Sequence, residues 1–292
     1  MIIVKLMGGL GNQMFQYAAA RRLSYVSRVP LKLDLGWFRS TSPGTTPRQY
    51  ALHPFNIVEA FASEKEVARF VPGPQPLWSL LARFLPPGGR YLREKHYHFD
   101  PLMLAPRQSG YLDGYWQSER YFSDVRDIIC TDFTVKERAQ GMNRSLAELV
   151  GDPELCSVSL HIRRGDYISS PSASLVHGSC SPEYYARAVE TIASKTRHPH
   201  FFIFSDDPQW VIDNFPLEYP FTIVQHNDPD HGYEDLRLMT LCKHHIIANS
   251  SFSWWGAWLC LNSEKIVVAP KTWFAGASHD TGDVVPASWT RI

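Results

Sequence analysis

An apolar run over Ile2–Leu6 that stops at Gly8-Gly9 predicts a buried strand feeding a glycine turn. Helix-forming residues with few breakers over Met14–Val26 predict a helix, and Val29–Leu35 predicts a second strand. This β-loop-α-β opening is how an open α/β sheet begins. From about 40 to 110 the pattern loosens, and prolines recur at 43, 47, 54, 72, 74, 76, 86, 87, 101 and 106. Within that stretch Leu77–Leu85 predicts a short, very apolar helix. It reads first as a packing element or lid, and second as a surface for a lipid-linked acceptor or a partner. Aromatic and acidic residues crowd 111–129, and 134–150 predicts a helix.

Gly151-Asp152-Pro153 is the expected domain boundary, dividing the chain into 1–150 and 151–292. Beyond it, strands are predicted at Ser157–Ile162, Phe201–Phe204, Phe221–Val224, Ile246–Ala248 and Ile266–Ala269, the last closing the sheet. Helices are predicted at Pro182–Ser194 (Ser181 as cap), Gln209–Phe215, Glu234–Lys243 and Ser253–Leu261. Repeated β-α alternation predicts a doubly wound parallel sheet, so the expected fold class is α/β, with two Rossmann-like domains facing a cleft.

Composition adds little to the fold but restricts partners. At 292 residues, 44% hydrophobic and 20% charged, the chain can build a full core. Net charge is zero, so a general electrostatic grip on nucleic acid or an anionic membrane is not expected, and any anion site must be built locally. Arg21-Arg22 and Arg163-Arg164 are the pairs that could build one. Five cysteines without a C-x-x-C pair predict reduced thiols in a cytosolic protein, with neither a disulfide framework nor a zinc site. MIIVKLMGG is too short an apolar stretch for a signal peptide and no run of 18 apolar residues occurs, so a cytoplasmic protein is expected. Peripheral contact with a lipid-linked acceptor at the inner membrane stays open.

Four constellations carry candidate chemistry. His161-Ile162-Arg163-Arg164-Gly165-Asp166-Tyr167 follows a predicted strand, where ligands of open α/β sheets bind. Strand alternation points His161 and Arg163 the same way, and an arginine fork suits phosphate oxygens. The alternative is a salt-bridge network with Asp166. Gly8-Gly9-Leu10-Gly11-Asn12-Gln13 offers backbone N–H groups to an anion at a helix start. A dinucleotide fingerprint would need glycine where Met14 stands, although Asp34 sits near the ribose-binding position. In Ser205-Asp206-Asp207-Pro208 a carboxylate can accept from the two adjacent guanine donors, while Asp207 before Pro208 can cap a helix and leave Asp206 free, so the two readings are compatible. Asn249–Trp258 places Ser250, Ser251 and Ser253 at a helix start, a cradle for phosphate or ribose, with its tryptophans read as core. Upstream, Glu234 and Asp235 sit at another helix start, where the helix dipole favours them.

Together, in this order, these motifs resemble the bacterial α-1,2-fucosyltransferases, a family shared with animal blood-group enzymes, over Met1 to about Pro270. The resemblance implies a GT-B-like fold and an inverting, metal-independent transfer of L-fucose from GDP-fucose to the 2-hydroxyl of a galactose, in glycan or O-antigen synthesis. It implies Arg163 on the β-phosphate, with His161 and Arg164 supporting the nucleotide site. It places guanine at Asp206 or Asp207, the phosphates at Ser250, Ser251 and Ser253, and the pyrophosphate near Gly11 and Asn12. No cofactor or metal is expected beyond the donor itself. The absence of the animal enzymes' membrane anchor fits a bacterial protein. Growing charge on the departing diphosphate would be stabilised by arginines and helix N-terminal amides. Asp166, Glu234 and Asp235 are candidate bases, and the leaving phosphate is another. The rival readings are a nucleotide-dependent oxidoreductase using the first glycine loop and a non-catalytic nucleotide-sugar or glycan-binding protein.

Overall fold

The computed structural model describes residues 1–39, 47–71, 91–164, 178–274 and 281–292. The expected helix at Leu77–Leu85 and the candidate base Asp166 lie outside these residues. Two compact units divide the chain, Met1–Thr134 and Val135–Ile292.

The first unit holds β1 Ile2–Lys5, α1 Leu10–Ser27, β2 Leu31–Asp34, α2 Glu64–Val67, β3 Tyr91–Arg93, β4 Gly110–Asp113 and α3 Arg126–Asp132. Its strands form a parallel sheet in the order β2-β1-β4-β3. Helix α1 begins four residues before the expected Met14, because Gly9 serves as its N-cap. Gln13 fixes this start: its side-chain amide donates to the Gly8 carbonyl (2.9 Å) and the Gln49 carbonyl (2.8 Å), and its oxygen accepts from Ala51 N–H (2.9 Å). Gly8 has φ +76°, and a Cβ there would lie 2.7 Å from Asn12 Nδ2, so only glycine fits. Strands β3 and β4 stand where the sequence predicts none: β3 follows the proline-rich run, and β4 opens the aromatic and acidic stretch.

The second unit holds α4 Gly141–Val150, β5 Cys156–Ile162, α5 Pro182–Ala193, β6 Pro199–Ser205, α6 Pro208–Asn214, β7 Phe221–Val224, α7 Gly232–Leu241, β8 His244–Ile246, α8 Ser251–Leu259, β9 Val267–Ala269 and β10 Thr290–Arg291. The boundary is therefore at 134/135 and not near 150. Helix α4 belongs here because its last residue, Val150, is buried in a cluster with Phe202, Phe204, Val224, Leu238 and Met239. It starts at Gly141, after an extended Gln140, and not at 134. The parallel sheet has the order β10-β9-β8-β5-β6-β7, so β10, and not β9, is its last strand.

Period-two alternation builds both faces. On β6, Phe201 and Ile203 pack with Tyr185, Val189 and Ile192 of α5, while Phe202 and Phe204 pack with α4 and α7. On β5, Val158, Leu160 and Ile162 join the α5 side. The alternate residues Ser157, Ser159 and His161 are polar yet buried. Each has a partner: Ser157 Oγ accepts from Lys243 N–H (3.2 Å), Ser159 Oγ meets His245 Nδ1 (2.8 Å) and His161 Nδ1 meets Ser253 Oγ (2.9 Å). Helix α5 starts as expected, with Ser181 Oγ accepting from Tyr184 N–H and Pro182 following. Helix α8 lies close to α7 at Gly256, where a Cβ would come 2.8 Å from that of Met239.

Candidate functional site

In the second sheet the chain runs outward from β5 through β6 to β7, then crosses to β8 on the other side of β5. The order therefore reverses between β5 and β8, and ligands of open α/β sheets bind at the carboxyl ends of such a strand pair. His161, Arg163 and Arg164 leave the end of β5 there, and Asn249–Ser251 lead from β8 into α8.

His161 is buried and its Nδ1 is tied to Ser253 Oγ across that reversal. Burial pushes its imidazole down to about 4, with Asp206 opposing and Arg163 adding to the shift. It is thus neutral near pH 7. Arg163 Nη1 lies 2.9 Å from Asp206 Oδ2, while Asp206 Oδ1 accepts from Arg164 N–H at 2.8 Å. One carboxylate therefore orients two consecutive residues. The Arg164 guanidinium stacks 3.6 Å above the Trp210 ring, with Nε 3.6 Å from Asp207 Oδ2. Asp207 is also the α6 cap, accepting from Trp210 N–H at 3.2 Å, and its own N–H donates to Ser205 Oγ at 3.0 Å.

The three serines differ in their surroundings. Ser250 caps α8, accepting from Phe252 N–H at 3.3 Å. Ser253 is buried beneath it on His161. Ser251, the first helical residue, is half-buried and stands where N-terminal amides favour an anion. Trp254, Trp255 and Trp258 are core, and Trp254 Nε1 donates to the Val284 carbonyl at 2.8 Å.

Glu234 and Asp235 open α7 as acids in its first turn. Glu234 pairs with Arg237 at 3.2 Å. Asp235 accepts from Asn227 Nδ2 at 2.7 Å, and Asn227 is held by Asn143, which also meets His226 at 2.7 Å. Burial raises Asp235 to about 6, against the Asn227 hydrogen bond and with Glu234 adding.

Within the first unit, Gly11 is buried in the first turn of α1, and Asn12 Oδ1 accepts from Gln117 Nε2 at 2.8 Å. The pair Arg21-Arg22 is structural and builds no anion site: Arg21 Nε donates to Asp132 (2.8 Å), and Arg22 to Asp124 (2.7 Å) and the Leu104 carbonyl. Asp34 is buried, accepting from Tyr111 OH (2.6 Å) and Gly36 N–H (2.8 Å), which removes it from the ribose-binding reading.

Sequence reasoning does not single out Trp210, Asn227 or Asn143. Trp210 alone had a local signal, three residues after a capping Asp207. Among the described residues no three His, Cys, Asp or Glu side chains group to hold a metal ion, and no helix is long and apolar enough to cross a membrane.

Residues 84–292 match the model of glycosyl transferase family 11. An O-antigen biosynthesis glycosyltransferase, WbnK of Escherichia coli, is 36% identical over 304 aligned positions, covering 98% of this chain and 99% of that protein. An α-1,2-colitosyltransferase of Escherichia coli is 34% identical, covering 100% and 98% respectively. Galactoside α-(1,2)-fucosyltransferase 2 of Sus scrofa is 24% identical over 92% of this chain and 72% of that protein. The expectation drawn from the H-x-R-R and N-S-S-F-S-W-W motifs holds, and the oxidoreductase reading falls: the chain belongs to glycosyl transferase family 11, among relatives of the α-1,2-fucosyltransferases.

Proposed function

We propose that the chain transfers L-fucose from GDP-fucose to the 2-hydroxyl of a galactose-containing acceptor, inverting the anomeric centre without a metal. The observation that carries this is the Arg163–Asp206–Arg164 cluster at the reversal of strand order, beside the N-terminus of α8. As the sugar–phosphate bond breaks, negative charge grows on the diphosphate. A guanidinium already oriented by Asp206, with helix amides near Ser251, stabilises that charge without reorganising. Neutral His161 keeps the β5 end fixed without adding a charge. Of the two carboxylates expected to read guanine, Asp206 has one oxygen on each arginine residue, so base reading is assigned to Asp207, whose side chain is 42% exposed against 22%.

The full-length similarity to a colitosyltransferase favours a second donor reading. A colitosyl group is a fucosyl group lacking its 3-hydroxyl, so the nucleotide site described here would serve either. The test is a donor and acceptor screen: GDP-fucose and GDP-colitose against galactose-terminated acceptors, with linkage analysis of the product. An α-1,2-fucosyl galactoside is expected. Colitosyl transfer alone would reassign the donor, and no transfer from either would refute the reading.

A further inference from the structure

We infer that Trp210 is a positioning residue for the donor nucleotide: its indole holds the Arg164 guanidinium so that the terminal nitrogens of the fork stay free for oxygens of a nucleoside diphosphate. This deepens the transferase reading above and rests on it, and every residue involved lies in the second unit.

Trp210 is the third residue of α6, which Asp207 caps and Pro208 opens. The cap fixes where the ring goes, because Asp207 Oδ1 accepts from the N–H of Trp210 itself at 3.2 Å. Only Asp206 and Asp207 separate α6 from β6, so Trp210 stays beside the carboxyl end of that strand. The chain to Arg164 leaves the sheet alongside, since Ile162 of β5 pairs with Ser205 of β6. The indole is half-buried and packs on the apolar cluster that includes Ile162, Tyr185, Phe201 and Val211. The Arg164 Cζ lies 3.6 Å from the centre of the ring.

The way Arg164 is held differs from that of arginines that only tie the fold. Arg22 spends its terminal nitrogens on Asp124 and the Leu104 carbonyl, and Arg291 on the Gly282 and Val285 carbonyls. At Arg164 the backbone N–H donates to Asp206, while Nε is buried without a hydrogen-bond partner, 3.6 Å from Asp207 Oδ2 and so beyond reach of one. Among the described residues no hydrogen bond is drawn from its terminal nitrogens.

A ring face attracts a cation but accepts nothing from the edge of a guanidinium lying flat on it. Trp210 therefore fixes the plane of the group without consuming its fork. Folding has already removed the side chain's freedom, so less is lost when a ligand binds. Negative charge and paired oxygens make phosphate the acceptor that such a fork suits. The neighbouring Arg163 is oriented by a carboxylate instead, with Nη1 on Asp206 Oδ2 at 2.9 Å. Two consecutive arginines are thus aimed by two different devices.

The test is calorimetric titration of GDP into the full chain, wild type and the variants Trp210→Phe, Trp210→Leu, Arg164→Ala and Trp210→Leu with Arg164→Ala. Urea unfolding confirms that each is folded. Trp210→Leu keeps an apolar group for the cluster and loses the ring face, so GDP should bind about tenfold more weakly. Trp210→Phe keeps a face and should stay within about threefold of wild type. The double variant should match Arg164→Ala within about twofold, because the ring acts only through the guanidinium. A purely structural Trp210 would give the opposite pattern: stability falls, and GDP affinity in Trp210→Leu stays at the wild-type value. That result, or losses that add in the double variant, would overturn the assignment. Trp210→Met makes the same comparison if Trp210→Leu does not fold. An Arg164→Ala protein with wild-type GDP affinity would overturn it whatever the Trp210 variants do. A wild type that binds no GDP would sink the transferase reading itself, an outcome distinct from unchanged affinity in the variants.

Discussion

His161 Nδ1 and Ser253 Oγ lie 2.9 Å apart, and their hydrogen bond joins the end of β5 to the second turn-forming serine of α8 across the reversal of strand order. The Ser253 hydroxyl also reaches the Ser250 carbonyl at 3.4 Å. Donating there leaves its oxygen to accept from the imidazole. Both side chains are buried, so losing either partner strands a polar atom. Ser253→Ala should cost about 1–3 kcal/mol in unfolding free energy and weaken GDP binding by loosening the arginine strand end. Urea titration and calorimetry check this. A variant matching wild type in both would make the bond incidental.

Arg163→Lys preserves charge but removes the fork that Asp206 orients at 2.9 Å. Transfer should fall by about 10²-fold or more if the guanidinium meets charge that grows only in the transition state. Asp206→Asn should reduce kcat by a similar route while Arg163 is still present. Steady-state kinetics of both variants decide it, and normal turnover in Arg163→Lys would refute the phosphate role.

Activity should survive excess EDTA, because arginines and the α8 N-terminus supply the positive field that a divalent ion otherwise provides. Initial rates with chelator and with added Mg²⁺ or Mn²⁺ are compared. A loss beyond about tenfold, roughly 1.4 kcal/mol of barrier, restored by metal would show that the cluster is insufficient.

The second unit was largely legible because its signals are local. Alternation on β5 and β6, the Ser181-Pro182 cap and the serines opening α8 each lie within a few residues of what they control. The polar face of β5 could be seen, but its partners could not, since Ser253 is 92 positions from His161. Likewise the sequence offers Asp206 only as a guanine reader, because nothing local ties it to Arg164 N–H 42 positions away. The hydrogen bond of Tyr115 N–H to Glu94, 21 positions apart, likewise leaves no pattern around either residue. The boundary near 150 failed because Gly151-Asp152-Pro153 ends a helix without ending a domain; α4 buries Val150 against β6 and α7.

Guanine preference should separate the two aspartates. Asp207→Ala should weaken GDP binding and narrow its margin over ADP and UDP, because a carboxylate matched to two adjacent donors is left unpaired by the wrong base. It should also cost about 1 kcal/mol of stability as the α6 cap. Asp206→Ala should weaken all three nucleotides together, since it acts through Arg163 and the diphosphate. Titrating GDP, ADP and UDP into both variants distinguishes them. Equal losses across nucleotides in Asp207→Ala would leave it a cap only.

Stability should depend on pH through His161 with a definite sign. Its folded value, about 4, is below the ordinary 6.5 because burial disfavours the charged ring. Between these values the unfolded chain holds a proton that the folded chain does not, so stability rises with pH across this window. The contribution is whole above about 6.5 and is lost as pH falls toward 4. Buried His245, also pushed down, acts in the same direction. Glu94 and Asp235 act oppositely: burial raises them to about 7 and about 6, so each favours the folded state at low pH and loses that advantage as pH rises. The net profile of the wild type is therefore flattened, and only a single-site comparison isolates the histidine. His161→Gln keeps a polar group for Ser253 but cannot titrate. The difference in unfolding free energy, wild type minus variant, should shrink by on the order of 2 kcal/mol between pH 7 and 4.5. Urea unfolding of both proteins at several pH values measures it, and parallel curves would show that folding leaves the titration of His161 unchanged.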